Sequence, residues 1–191
     1  MRIIGGSAAG TILKVPKGYD VRPTPDQVRQ AIFNSLSGRV LDAAVLELFG
    51  GTGALSLECL SRGANSAICV EKAYKHAQFI KQNLHAAKLQ DKPFDVRIKD
   101  AFVALHQLAD SGQKFDLIVA DPPFGDKNVN RRSTSASQKL LDDERLPELL
   151  NENGLLILGH TKRDTLEPPP PWSDQKILKH GDSWFRFLTT E

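Results

Sequence analysis

Long apolar runs are missing from this sequence. Its apolar stretches, such as Leu155-Leu156-Ile157-Leu158, fall far short of the roughly 20 residues that a membrane helix needs. No charged-then-apolar segment follows Met1-Arg2, so neither membrane nor export is expected and the expected location is cytoplasmic. Cysteine is scarce: Cys59 and Cys69 fall within an expected helix and an expected strand, with no CxxC or Cys/His spacing, and read as reduced core thiols. His76, His85, His106, His160 and His180 show no ligand spacing, and no Ser/His/Asp or Cys/His constellation stands out, so neither a metal nor a covalent nucleophile is expected. Internal repeats and long low-complexity tracts are also lacking.

What remains is a chain of 191 residues with 40% hydrophobic content, enough to bury a full core. The net charge is only +2, but the first forty residues hold Arg2, Lys14, Lys17, Arg22, Arg29 and Arg39 against Asp20 and Asp26. A polyanion-facing end would show that asymmetry, and so would an ordinary solvated surface. Residues 2–15 alternate short apolar pieces with Gly5-Gly6-Ser7 and Gly10, which predicts a small hairpin. Thr24-Pro25-Asp26-Gln27 has the grammar of a helix start, with Thr24 as N-cap, Pro25 at the first helical position and Gln27 closing a capping box. Val28, Ala31, Ile32, Ser35 and Leu36 then share one face of that helix, which needs something to cover.

From Ala44 onward strands alternate with helices, the pattern of βαβ units and a parallel sheet. Strands are expected near 44–49, 66–71, 94–99, 115–121 and 154–159, with helices near 53–62, 73–88, 101–110 and 138–150. Pro168 to Pro171 then lead into two strand-like runs, 175–179 and 183–188, turning at Gly181-Asp182. The expected fold is α/β and Rossmann-like: a seven-stranded, mostly parallel sheet whose last strand is antiparallel. The expected division is a front hairpin and capping helix over 1–40 and a main domain over 41–191, in a monomer.

Val45-Leu46-Glu47-Leu48-Phe49-Gly50-Gly51-Thr52-Gly53 reads as a strand feeding a glycine turn that opens a helix, where backbone approaches a ligand closely and helix N–H groups point at it. Glu71, ending the next strand, suits two ribose hydroxyls. Both features also fit a dinucleotide. Two details favour a methyl donor: Glu47, whose charge opposes a pyrophosphate but suits the cationic methionine end of S-adenosylmethionine, and Asp100, placed before Ala101 to accept from an adenine amino group. Each has a structural alternative, with Glu47 paired to a lysine, Glu71 to Lys72, and Asp100 an N-cap.

Phe115-Asp116-Leu117-Ile118-Val119-Ala120 reads as a buried strand, followed by the stiff acidic loop Asp121-Pro122-Pro123-Phe124. Two prolines remove two donors and leave acceptors, so the Asp121 carboxylate and the Pro122 carbonyl suit an exocyclic NH2 while Phe124 stacks on its ring. The same four residues also suit a plain strand end. Between this loop and the next helix, Lys127, Arg131 and Arg132 lie in a polar stretch that fits a lid, a phosphate contact or a solvated loop.

The order ELFGGTG, Glu71, Asp100 and DPPF resembles class I S-adenosylmethionine-dependent amino-methyltransferases. Arg2-Ile3-Ile4-Gly5-Gly6, Arg22-Pro23-Thr24, Val28-Arg29-Gln30-Ala31-Ile32-Phe33-Asn34 and Leu60-Ser61-Arg62-Gly63-Ala64 sharpen this. They resemble the RsmD-type family, which methylates guanine N2 in small-subunit ribosomal RNA. That resemblance implies S-adenosylmethionine held by Glu47, Phe49, Gly50, Gly51, Gly53, Glu71, Lys72, Asp100 and Ala101. It implies a base gripped by Asp121, Pro122, Pro123 and Phe124, and ribosomal RNA, as such or in the assembled small subunit, met by Arg2, Arg22, Thr24, Arg29, Arg131 and Arg132. The sequence departs from the family pattern at Ser7-Ala8-Ala9 and at Gly159-His160. The rival expectations are an amino-methyltransferase of DNA adenine or protein glutamine, a catalytically idle RNA-binding module, and an NAD oxidoreductase.

Overall fold

A computed structural model describes residues 1–16, 24–123 and 132–191. Phe124, Arg22, Lys127 and Arg131 lie outside the described residues. The strands are β1 (Ala44–Leu48), β2 (Ser66–Glu71), β3 (Phe94–Ile98), β4 (Phe115–Ala120), β5 (Leu150–Thr161), β6 (Trp172–His180) and β7 (Ser183–Thr190). They form one seven-stranded sheet in the order β3-β2-β1-β4-β5-β7-β6. β1 to β5 are parallel, and β7 runs antiparallel to both of its neighbours, as expected. The helices are α1 (Asp26–Leu36), α2 (Ala54–Ser61), α3 (Tyr74–Ala86), α4 (Ala101–Asp110) and α5 (Ala136–Leu141). None of them is long and apolar enough to cross a membrane.

Successive strand residues serve opposite faces, so the sheet carries two cores. Val45, Leu117, Val119 and Ile157 pack with Leu57 of α2, with Val28, Ile32 and Phe33 of α1, and with Ile3 and Leu13 of the front segment. Leu46, Leu48, Ile118 and Ala120 pack with Leu105 and Leu108 of α4 and Leu140 of α5. Strands covered on both faces read as continuous apolar runs rather than alternating ones, as in Leu117-Ile118-Val119-Ala120.

The front segment forms the expected hairpin only in minimal form, with Ile3 N donating to Thr11 O at 2.9 Å and Leu13 N to Met1 O at 3.1 Å. Arg2 and Ile12 form a single antiparallel bridge, because the donors that would extend a ladder bond to α2 instead. Ile4 N and Gly5 N each donate to the Glu58 carboxylate at 2.8 Å, and Ser7 N donates to Ser61 O at 2.7 Å. Glu58 is fully buried and also meets Arg62 Nε at 2.7 Å and Arg29 at 3.8 Å. Asn83 of α3 makes a second tie: its Oδ1 accepts from Lys14 N at 2.7 Å, and its Nδ2 donates to Thr52 O at 3.0 Å.

Three further expectations change. Thr24 does not cap α1: Pro25 holds the N-cap position with no side-chain cap bond. The expected helix over 138–150 shrinks to α5. After Leu141 the chain meets Asp142-Asp143-Glu144, then Pro147, which lacks an amide donor and sits in a 3-10 turn, Pro147–Leu149. The helical spacing came from Leu146 and Leu149, buried from irregular backbone. Arg29, expected to face RNA, is wholly buried: its Nη2 reaches Asp26 at 2.7 Å and the Arg2 carbonyl at 2.5 Å. Burial raises the Asp26 carboxyl, but the Arg29 hydrogen bond and charge outweigh it and leave the carboxyl below its ordinary value.

Removing Glu58 would strand two backbone donors and Arg62 Nε, and leave the buried Arg29 guanidinium with Asp26 as its one acidic partner among the described residues. Glu58→Ala is expected to lower unfolding free energy in urea by about 3–5 kcal/mol, the scale for breaking a buried ion pair from one side. A loss below 1 kcal/mol would mean that the tie contributes little.

Candidate active site

The reversal of strand order between β1 and β4 opens a crevice at the strands' carboxyl ends, where ligands of open α/β sheets bind. Register brings Leu48 of β1 opposite Ala120 of β4, so the glycine turn after β1 and Asp121 after β4 emerge side by side. One cavity there is lined by Glu47, Phe49, Gly50, Asp121 and, from the front, Met1 and Thr24.

The turn is tight enough to dictate its residues. A Cβ on Gly50 would sit 2.3 Å from Cys69 Sγ, and Gly53 combines φ +72° with a Cβ position 2.8 Å from Ile80. Phe49 itself has φ 62°, costly for a bulky residue, and its ring stands edge-on to Phe102 at 6.2 Å. Glu71 fastens the turn from β2: its carboxylate accepts from Gly51 N and Ala73 N, both at 2.7 Å.

Glu47 is not paired with a lysine. It lies buried beneath the turn and accepts from Ser56 N at 2.9 Å, from the Ser56 hydroxyl and from Cys69 Sγ at 3.4 Å, which caps the first turn of α2. Among the described residues it forms no ion pair. Burial pushes its carboxyl up to about 7 even though the Ser56 bonds favour the ionised form. A buried acid with no cationic partner, on the wall of a cavity, fits a positively charged ligand group.

Asp100 does N-cap α4, accepting from Phe102 N at 3.0 Å, and its other oxygen meets Lys72 Nζ at 3.2 Å. Burial raises its carboxyl, and the Lys72 and Phe102 hydrogen bonds overcome this and lower it. Glu71, Lys72, Asp100 and Ala101 thus form a contiguous rim at the ends of β2 and β3, outside the lining of the cavity itself.

The Thr24 hydroxyl, expected to accept from the first turn of α1, instead donates to Asp121 Oδ2 at 2.5 Å. Burial pushes the Asp121 carboxyl up to about 6, and the Thr24 bond holds it back. Pro122 is buried behind it and Pro123 is exposed. Gly159 of β5 makes room, since a Cβ there would lie 2.3 Å from Asp121 Oδ1. Gly159 and Met1 were not expected among the neighbours of the site. Only the glycine at the end of β5, opposite the acidic strand end, offered a signal.

The basic residues divide. Arg2 is outward, its side chain 68% exposed, with only a 3.8 Å approach to Asp26. Arg132 bonds Asp142 at 2.6 Å and approaches Glu167 at 3.7 Å, committed to local acids while half-exposed. Among the described residues no group of three or more His, Cys, Asp or Glu side chains is placed to hold a metal.

The buried acid gives a pH test. The folded-state value of Glu47, about 7, lies above its ordinary 4.5, so the folded protein holds a proton that the unfolded chain releases, and stability falls as pH rises from 4.5 to 7. Asp121 adds a smaller fall of the same sign. His160, lowered chiefly by burial, contributes the opposite sign and only below its ordinary 6.5. Its share cancels when variants are compared. Without ligand, Glu47→Gln is expected to gain about 2–3 kcal/mol relative to wild type between pH 5 and pH 8 in urea unfolding. A pH-independent difference would show that Glu47 does not titrate there.

Similarity to known proteins agrees with this geometry. A family model described as conserved hypothetical protein 95 matches residues 1–189. Ribosomal RNA small subunit methyltransferase D of Escherichia coli strain K12 is 38% identical over 191 residues, covering 100% of this chain and 90% of that protein. A putative rRNA methyltransferase of Bacillus subtilis, YlbH, is 35% identical over 162 residues, 85% of this chain and 83% of its own. Among solved structures, the putative methyltransferase yhhF from Escherichia coli superposes with TM-score 0.80 at 32% identity, covering 100% of this chain and 98% of that one.

Proposed function

This chain belongs to the conserved hypothetical protein 95 family, the RsmD-type ribosomal RNA methyltransferases, and from that premise we propose that it methylates the exocyclic N2 amine of a guanine in small-subunit ribosomal RNA. The observation that carries the reading is the shared cavity: an unpaired buried carboxyl and a glycine turn on one side, and an acidic, proline-stiffened strand end on the other.

The residues present fit S-adenosylmethionine. Glu47 offers charge to a cationic group, the glycine turn admits close backbone approach, and the Glu71 carboxylate, whose Oε1 also meets His76 Nδ1 at 3.5 Å, keeps a lone pair on Oε2 for a ribose hydroxyl. Lys72, Asp100 and Ala101 form the rim for the base end. When bound, that cofactor supplies a methyl group on a sulfonium sulfur, to which the carbon–sulfur electron pair returns as the new carbon–nitrogen bond forms.

The chain's own part is orientation and charge. Asp121 accepts a hydrogen from the amine, which turns the nitrogen lone pair out of conjugation with the ring and towards the cavity. Its carboxylate takes the single proton that nitrogen sheds on alkylation. A carboxyl near 6 is mostly ionised at neutral pH and so able to accept. The guanine has to be unstacked to enter, since a recessed strand end cannot reach a stacked base, and Phe124 supplies the replacement stack. Residues 1–40 act as a cover that holds phosphates through outward groups such as Arg2, on the exposed side of the Glu58 tie. The enzyme works in this reading as a cytoplasmic monomer.

Incubation with methyl-labelled S-adenosylmethionine and, separately, ribosomal RNA, assembled small subunits, duplex DNA and cell protein tests the acceptor class. Label is expected in RNA, free or assembled. Asp121→Ala is expected to lose rate by roughly a hundredfold or more while cofactor affinity holds, because it removes an interaction made with the reacting amine. Label in DNA or protein and in neither RNA sample would overturn the assignment.

A further inference from the structure

Among the described residues, the hydrogen bond that the Asp121 side chain receives comes from the front segment, not from the sheet. Thr24 satisfies every local rule for an N-cap and does not act as one. Its hydroxyl donates to Asp121, and α1 starts without a side-chain cap. A cap bond is worth about 1 kcal/mol to a helix. Here the hydroxyl accepts no such bond and donates to a carboxylate 97 residues further along the chain.

The placement of Thr24 is enforced. The next residue, Pro25, gives its carbonyl to Arg29 N at 3.0 Å, and Arg29 is buried against Asp26 and Glu58. The first turn of α1 is therefore fixed to α2, and Thr24 is fixed with it. On the far side of the carboxylate, Gly159 leaves no vacant space: a Cβ there would lie 2.3 Å from Asp121 Oδ1 and 3.0 Å from Phe185. The carboxylate is gripped between a hydroxyl on Oδ2 and a bare α-carbon under Oδ1.

We propose that Thr24 is a positioning residue for methyl transfer: its hydroxyl fixes the rotamer of Asp121 so that the remaining acceptor capacity faces the incoming amine, with Gly159 as the backstop. Thr24 then belongs to the catalytic end of the front segment rather than to its RNA-binding side. The inference rests on the reading of Asp121 given above. It makes the front segment a part of the reaction centre, so that a base held by that segment meets a carboxylate held by the same segment.

Charge at this place is simple. Thr24, Gly159 and Phe185, which face Asp121 from the front segment, β5 and β7, are all uncharged. Glu47 and Met1, which carries the α-amino group, are the other residues with titratable groups that line the cavity among the described residues. The Thr24 bond favours the ionised carboxylate, so its removal drives the acid limb of the rate profile to higher pH.

The test compares Thr24→Val, Thr24→Ser and Asp121→Asn in single-turnover methylation of ribosomal RNA at saturating cofactor, across pH 5 to 9. Thr24→Val is expected to slow turnover by about tenfold to a hundredfold, the range for losing one hydrogen bond to a charged group. Its acid limb should move upward, while the RNA KM and cofactor affinity stay near wild type. Thr24→Ser, which keeps the hydroxyl, should restore both rate and profile. Wild-type rate and profile in Thr24→Val, beside an inactive Asp121→Asn, would overturn the role of Thr24 and leave the site reading standing. Equal losses in Val and Ser variants without a shifted limb would reduce Thr24 to a structural contact. Full activity in Asp121→Asn would overturn the site reading and this inference with it.

Discussion

The parallel pairing of β1 with β4 is the constraint on which the site depends. The two strands run outward in opposite senses of sheet order, with β2 and β3 on one side and β5, β7 and β6 on the other. Their connections therefore leave the sheet in opposite directions and cannot close over the strand ends between them. Because Leu48 and Ala120 are register partners, the next residues on each strand, Phe49 with the glycine turn and Asp121 with the prolines, share one crevice. A slip of β4 by one residue in that register would turn its side chains to the opposite faces and part Asp121 from Glu47. The apolar residues on both sides, in two separate cores, hold it in place.

The second organising feature is polar. Two fully buried side chains, Glu58 and Asn83, accept or donate at backbone groups of residues more than fifty positions away and fasten the front segment to α2 and α3. Buried charges of this kind are costly to desolvate, so they bring register and placement more than net stability. The same network fixes Arg29, hence α1 and hence Thr24. The glycine turn joins it through the bond from Asn83 to the Thr52 carbonyl. The crevice between β1 and β4 thus acquires a third wall that the sheet alone does not supply.

Much of this was legible in the sequence because period and punctuation are local. The four βα repeats and the fifth parallel strand, the glycine turn, the acids at the ends of β2 and β3, and Asp121-Pro122-Pro123 all announce themselves within a few residues. The misreadings share one cause: a local rule was satisfied while a distant partner decided the outcome. Thr24 had the right neighbours for a cap, but Asp121 claimed its hydroxyl. Arg29 counted as surface charge until Glu58 and Asp26 buried it. Leucines at helical spacing after Leu141 suggested a continuous helix where Pro147 and an acidic run break it. Glu58 offered a clue that was not taken, a lone carboxylate inside the apolar stretch Leu55-Ser56-Leu57-Glu58-Cys59-Leu60. Gly159 likewise reads as a small residue in a strand until Asp121 is seen above it.

The central claim is that this crevice delivers a methyl group to an exocyclic amine rather than to a ring nitrogen, a ribose or a protein side chain. The most direct measurement is nucleoside analysis by mass spectrometry of small-subunit ribosomal RNA after incubation with the enzyme and S-adenosylmethionine, with N2-methylguanosine, its ring-methylated isomers and the ribose-methylated nucleosides as standards. The account predicts N2-methylguanosine as the one nucleoside that increases. An increase confined to a ring-methylated guanosine or a ribose-methylated nucleoside would contradict it.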